Sequence, residues 1–147
     1  MRQRGYTLIE TLLVIALISI VLGITLPKTN YFMDIKELRE LENFKRDLMF
    51  TRNRAIMESK NYTVQFNVSQ NSYSVRPENN IHKRITTKFA SGIRIDDLNN
   101  VTSFTFMYNG TTKDSGTLYL RNRKNKKYKV SVSPVTGRIN LDTKNSK

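Results

Sequence analysis

A near-unbroken apolar stretch runs from Tyr6 to Leu26 behind a short basic leader, and one acid, Glu10, interrupts it early. As an α-helix this stretch of about 21 residues is roughly 32 Å long, enough to cross the hydrocarbon core of a bilayer. A carboxylate at the centre of a bilayer costs on the order of 2.5–3.5 kcal/mol, so spanning segments seldom keep one. Any fold for this chain must therefore accommodate a detached apolar helix and give Glu10 a purpose.

Two simpler readings stand beside a dedicated assembly helix. A secretory signal peptide has an apolar region of about 7–15 residues followed by a small-residue cleavage site. The stretch here is longer, and Leu26-Pro27-Lys28 offers no such site. A plain signal anchor, with Arg2 and Arg4 holding the N-terminus in the cytoplasm, fits the charge rule but leaves Glu10 idle. Pro27 cannot donate a helical hydrogen bond, so a kink or short break is expected there.

The segment Gly5-Tyr6-Thr7-Leu8-Ile9-Glu10 resembles the processing site of type IV prepilins and of the pseudopilins of type II secretion and competence systems. That pattern is a basic leader ending in Gly, an aromatic residue, Thr-Leu, an aliphatic residue and Glu, then an apolar helix. Tyr6 stands where Phe is commoner, and Pro27 falls where many pilins kink. The resemblance implies that a prepilin peptidase cuts between Gly5 and Tyr6 and that the new Tyr6 amine is methylated. It also implies that Glu10 pairs with the Tyr6 ammonium of a neighbouring subunit in a filament. In a low dielectric an unpaired charge is expensive, so this pairing would both stabilise the assembly and set its register.

Beyond Pro27, Ile35, Leu38, Leu41, Phe44, Leu48, Ala55 and Ile56 recur at helical spacing among charged residues. This predicts an amphipathic helix over about residues 31–59, its apolar stripe facing a sheet. A coiled-coil partner helix is the rival. After Lys60 the period becomes two. Tyr62, Val64, Phe66 and Val68 alternate with polar residues, and Tyr73 and Val75 follow the turn Ser69-Gln70-Asn71-Ser72. Arg76–Lys88 reads as a long polar loop leading into a strand. Short strands follow around Ile93–Ile95, Phe104–Tyr108 before the Asn109-Gly110 turn, Leu118–Leu120, Tyr128–Val132 and Ile139–Leu141. The closing Asn-Ser-Lys reads as a disordered tail.

The expected fold class is α+β and pilin-like: a long N-terminal helix, transmembrane half plus amphipathic half, packed on an antiparallel β-meander head. The expected divisions are 1–5 leader, 6–26 transmembrane and assembly helix, 27–60 amphipathic helix and 61–147 head. Phe44-Lys45-Arg46-Asp47-Leu48 with Thr51-Arg52-Asn53-Arg54-Ala55-Ile56 resembles the helix end of GspH-type minor pseudopilins. Phe104-x-Phe106, Gly116-Thr117-Leu118, Val130-x-Val132 and Thr136-Gly137-Arg138-Ile139 resemble the C-terminal sheet of the same group. Length and order of features come nearest to its competence members.

The chain has 25 Lys and Arg against 12 acids, for a formal charge of +13. That excess favours polyanionic partners without choosing among nucleic acid, anionic lipid and wall polymers. Much of it is concentrated in Arg121, Arg123, Lys124, Lys126, Lys127 and Lys129 around Tyr128. The alternating runs on either side place this cluster at a hairpin tip. There it could grip a phosphate backbone, helped by stacking on Tyr128. The alternative is a solvated turn that keeps a sheet edge from aggregating.

No catalytic set emerges. There is no Cys, and His82 is the one histidine. Asp96-Asp97 reads as a turn rather than a catalytic pair, and no Gly-rich phosphate loop is present. The expectation is a structural subunit without cofactor or metal: a minor pilin or pseudopilin that starts or caps a competence or type IV pilus and supports DNA uptake. A secretion-type pseudopilin or an adhesion or motility subunit is the alternative, and a pilus-borne DNA receptor a lesser one. The expected partners are the prepilin peptidase, other major and minor pilins, the cytoplasmic membrane and, non-specifically, DNA. The expected location is a single pass with a cytoplasmic N-terminus and an outer head, moving to a surface filament.

Overall fold

The computed structural model describes residues 7–25, 29–80, 82–97, 101–114 and 116–142. The chain forms two units, Met1–Ile35 and Lys36–Lys147.

In the first unit, α1 spans Leu8–Thr25. Thr7 begins it, its carbonyl accepting from the amides of Glu10 and Thr11. Glu10 then sits in the first turn, where the positive end of the helix dipole favours an acid. Thr11 and Ser19 turn their hydroxyls back on the carbonyls of Leu8 and Ile15, both at 2.8 Å. These side chains thus satisfy their hydrogen bonding inside the helix, as an apolar surrounding requires.

The second helix, α2, spans Thr29–Met57, close to the 31–59 expected, and its residues from Lys36 onward belong to the head. It ends on Ser59, which takes a left-handed conformation at φ 51°. The Lys60 amide bonds the Ala55 carbonyl and the Ser59 amide that of Ile56, closing the last turn.

The head contains two four-stranded antiparallel sheets. β1 (Tyr62–Asn67), β2 (Ser72–Pro77) and β3 (Ile85–Lys88) follow one another, and β5 (Ser103–Phe106) joins the free side of β1. β6 (Gly116–Arg121), β7 (Lys127–Val132) and β8 (Ile139–Asp142) follow in turn, and β4 (Arg94–Asp97) joins the free side of β6. The expected meander is therefore two meanders, with β4 and β5 exchanged across them. The expected long loop is shorter at both ends, since β2 extends to Pro77 and β3 begins at Ile85. Asp96-Asp97 lies in β4, at a register irregularity, rather than in a turn.

One hydrophobic cluster unites α2 and both sheets. Leu41, Phe44, Leu48 and Ala55 of the helix are buried with Val64, Phe104, Phe106, Leu118, Leu120 and Val130. Phe44 is at its aromatic centre, edge-on to Tyr73 at 4.8 Å, Phe89 at 5.4 Å and Phe66 at 6.2 Å. Such pairs add about 0.5–1.5 kcal/mol each beyond area burial.

The helix seam differs from its expected composition. Leu38 and Ile56 remain 47 % and 42 % exposed, whereas Glu37 and Thr51 are 1 % and 2 % exposed. The buried line runs Glu37, Leu41, Phe44, Leu48, Thr51, Ala55, in steps of four and three. Thr51 tolerates burial because its hydroxyl donates to the Asp47 carbonyl at 2.7 Å. Tyr108 lies past the end of β5 and is exposed. Pro27 and the tail 143–147 fall outside the described residues.

Candidate functional site

Two regions carry the chemistry singled out from the sequence. The first is α1. Its large apolar side chains, from Leu8 through Leu22, are exposed on every side of the helix. A helix apolar all round is built for burial in lipid or among other helices. Glu10 is the one charged side chain in α1, and it has no ion-pair partner among the described residues. Gly5 and Tyr6, the expected processing pair, lie outside the described residues. No described helix is long and apolar enough to cross a membrane. The span expected over 6–26 reaches past α1 at both ends, into residues that are not described.

The second region is the β6–β7 hairpin. Its tip is where the sequence puts it, with Arg121 opposite Lys127 and a left-handed Asn125 in the turn. Asn122 organises that turn, its Oδ1 accepting from the Lys124 and Lys126 amides at 3.0 and 2.8 Å. Lys124, Lys126, Lys127 and Lys129 are exposed. Tyr128 is not a stacking platform: it is 3 % exposed, because it alternates inward with Val130 and Val132. The two arginines are also engaged. Arg121 pairs with Asp96 at 2.7 Å, and Arg123 pairs with Glu37 at 2.6 Å. Of the seven expected residues, the four lysines are exposed, with Lys127 standing 3.7 Å from Asp96, whereas Tyr128 is buried and both arginines are paired with acids.

Three acids of α2, Glu37, Glu40 and Asp47, are engaged within the head. Besides Glu37, Glu40 accepts from the Ala90 and Ser91 amides, and Asp47 accepts from the Tyr73 hydroxyl. Burial, then the Asp47 bond, pushes the Tyr73 phenol well above its ordinary range. Near the helix end, Arg52 donates to the carbonyls of Gly110 and Thr136, both at 2.9 Å. It ties two loops together where Gly137, at φ 60°, passes so close that a Cβ would meet the Gly110 oxygen at 2.1 Å. Glu58 accepts from Tyr62 and Arg54, which hold its carboxyl below the usual range. These are fastenings, and no metal-binding group of acids or histidine exists among the described residues.

Glu37, Arg94 and Asp96 were not among the residues singled out as sites. Arg94 had a signal: between buried Ile93 and Ile95 it must point to solvent on the same face as Arg121.

Residues 1–26 match the prokaryotic N-terminal methylation motif, and residues 40–137 match the family of the type II transport protein GspH. The chain belongs to the GspH family. The fold is similar to that of the minor pseudopilin EpsH from the type 2 secretion system of Vibrio cholerae, with TM-score 0.56 and 14% identity. That likeness covers 73% of this chain and 95% of EpsH. It is also similar to the type IV minor pilin FimU of Pseudomonas aeruginosa, with TM-score 0.59 and 19% identity, covering 76% of this chain and 92% of FimU. No functionally curated protein matches the chain. As a GspH-like minor pseudopilin the protein is a structural subunit, not an enzyme. Nothing in these likenesses singles out the competence members of the group.

Proposed function

We propose that this GspH-like subunit is processed between Gly5 and Tyr6 by a prepilin peptidase, anchored by residues 6–26, and then drawn into a competence or type IV pilus. There it would start or cap the filament and support DNA uptake. The observation that carries the reading is α1: apolar on every side, with a lone Glu10 in its first turn, ahead of a GspH-type head. Lipid would cover that surface before assembly and other subunits' helices afterwards. The carboxylate of Glu10 would then find the Tyr6 ammonium of a neighbour. Residues 1–5 serve as leader, 27–60 as the connecting amphipathic helix with its kink at Pro27, and 61–147 as the outer head.

Before assembly the chain is a single-pass protein of the cytoplasmic membrane with its N-terminus inside. The competence assignment rests on chain length and on the order of features. The competing assignment is a secretion-type pseudopilin or an adhesion or motility subunit. A DNA-receptor role through the 121–129 tip is the lesser reading, resting on the exposed lysines.

The test is uptake of labelled double-stranded DNA by a clean deletion strain, with surface filaments counted in the same cells. Loss of uptake with other pili intact is the expected result. Normal uptake with a secretion or filament defect would move the protein to another machine.

A further inference from the structure

The second sheet carries a row of like charges that one acid has to balance. Arg94 of β4 lies opposite Arg121 of β6, and Arg121 lies opposite Lys127 of β7. Like charges placed directly opposite each other destabilise a sheet. Asp96 serves the row, accepting from Arg121 Nη2 at 2.8 Å and standing 3.7 Å from Lys127 Nζ. Arg94 is exposed and has no ion-pair partner among the described residues. Arg121 Nε is buried and donates to nothing among them.

Arg123 adds a third guanidinium. Its Nε is fastened to Glu37 at 2.6 Å. Its stem lies across Gly92, where a Cβ would stand 2.5 Å from Arg123 Cγ. Gly92 has φ 105°, so any side chain there would be both strained and in collision. Glycine thus lets Arg123 lie flat along one wall. Arg94, Arg121 and Arg123 together line a cleft of about 500 Å³ with Gly92, Asp96 and Asn122.

We propose that this cleft binds a phosphate group of a phosphodiester chain. A guanidinium offers five N–H donors in a planar fork matched to oxyanions. Arg121 and Arg123 each commit one nitrogen to an acid, which fixes the fork and leaves other donors available. Three forks meeting at one place suit a tetrahedral group with several oxygens better than a flat carboxylate, which one fork satisfies. The volume exceeds that of a bare ion and leaves room for the sugar or polyol on either side of the phosphate. The phosphate supplies the charge the Arg94–Arg121–Lys127 row lacks. The site is a cleft beside the hairpin, not its lysine tip, and it does not depend on the filament reading.

The test is titration of the full chain in detergent micelles with three probes: inorganic phosphate, a twelve-residue thymidine oligonucleotide and poly(glycerol phosphate). The wild type is expected to bind at least one polymer. Arg94→Gln is expected to weaken that binding about tenfold, since a charge-assisted pair is lost. Lys83→Gln, which removes an equal charge at an exposed position outside both the cleft and the hairpin, is expected to change it by less than about twofold. Binding of the oligonucleotide alone makes nucleic acid the source, binding of poly(glycerol phosphate) alone a wall polymer, and binding of both phosphodiester chemistry itself. Equal loss in the two variants, or binding of neither polymer, overturns the proposal.

Discussion

The two helices meet the same problem, what to do with an apolar surface, in opposite ways. α1 is apolar on all sides and leaves those side chains exposed in the isolated chain, so its sequence specifies surroundings that the chain does not contain. The head portion of α2 gathers its apolar residues on one seam and buries them against two sheets of the same chain. Acids follow the same division. Glu37, Glu40 and Asp47 of α2 are all matched within the head, whereas Glu10 of α1 is matched by nothing described. The head portion of α2 finishes its bonding within the head, whereas α1 leaves an apolar surface and Glu10 open, which is the contrast the proposed assembly role of α1 rests on.

The comparison breaks first where packing decides. Phe44→Ala should cost about 3–5 kcal/mol, read as the urea midpoint of the full chain in detergent by the circular dichroism of its tyrosines. Leu13→Ala in α1 should leave that midpoint within about 0.5 kcal/mol, as for a substitution outside the packed core. Equal losses in both would mean that the head depends on α1.

Next in size is the Glu37–Arg123 pair. Arg123→Ala should cost about 3 kcal/mol, because it strands a carboxylate that is 1 % exposed. Glu37→Gln should cost less, because Arg123, at 36 % side-chain exposure, can turn to water. The reverse order in denaturant unfolding would contradict the burial argument.

Gly137→Ala should follow at about 1–3 kcal/mol, from a left-handed backbone and a Cβ that must displace the Gly110 carbonyl. Its unfolding midpoint should fall while that of Gly23→Ala in α1, where a Cβ meets nothing within 4 Å, stays put.

The smallest effect concerns Glu58. With its carboxyl lowered by Tyr62 and then by Arg54, it contributes stability above the ordinary value of 4.5 and loses it as pH falls through the lowered one. Tyr62→Phe should move the Glu58 titration upward in a carbon-detected nuclear magnetic resonance series. An unmoved titration would mean that the phenol does not hold the carboxylate.

Much of the head was legible because its strands obey one rule. Tyr62, Val64 and Phe66, or Tyr128, Val130 and Val132, alternate inward with polar neighbours outward, and Asn109-Gly110 makes the turn it announces. The exchange of β4 and β5 was not legible, because a four-residue strand carries no mark of which sheet it will join. The seam of α2 misled in a similar way. Leu38 looks like a core residue and Glu37 like a surface one until Arg123, 86 residues away, is placed beside it. Tyr128 shows the same limit: its aromatic chemistry suits a polyanion surface, but its alternation with Val130 points it inward, and it is buried. Glu10 stands out because an acid in an apolar run violates a strong rule, and the structure places it in the first turn of α1.

The most direct test of the account is the amount of this subunit in sheared surface filaments from cells carrying Glu10→Val, beside the wild type. The N-terminal residue of the membrane-bound pool should be determined in the same cells. The account predicts a chain that still begins at Tyr6 in the membrane but is absent from the filaments. Glu10→Val present in filaments at the wild-type level would contradict it.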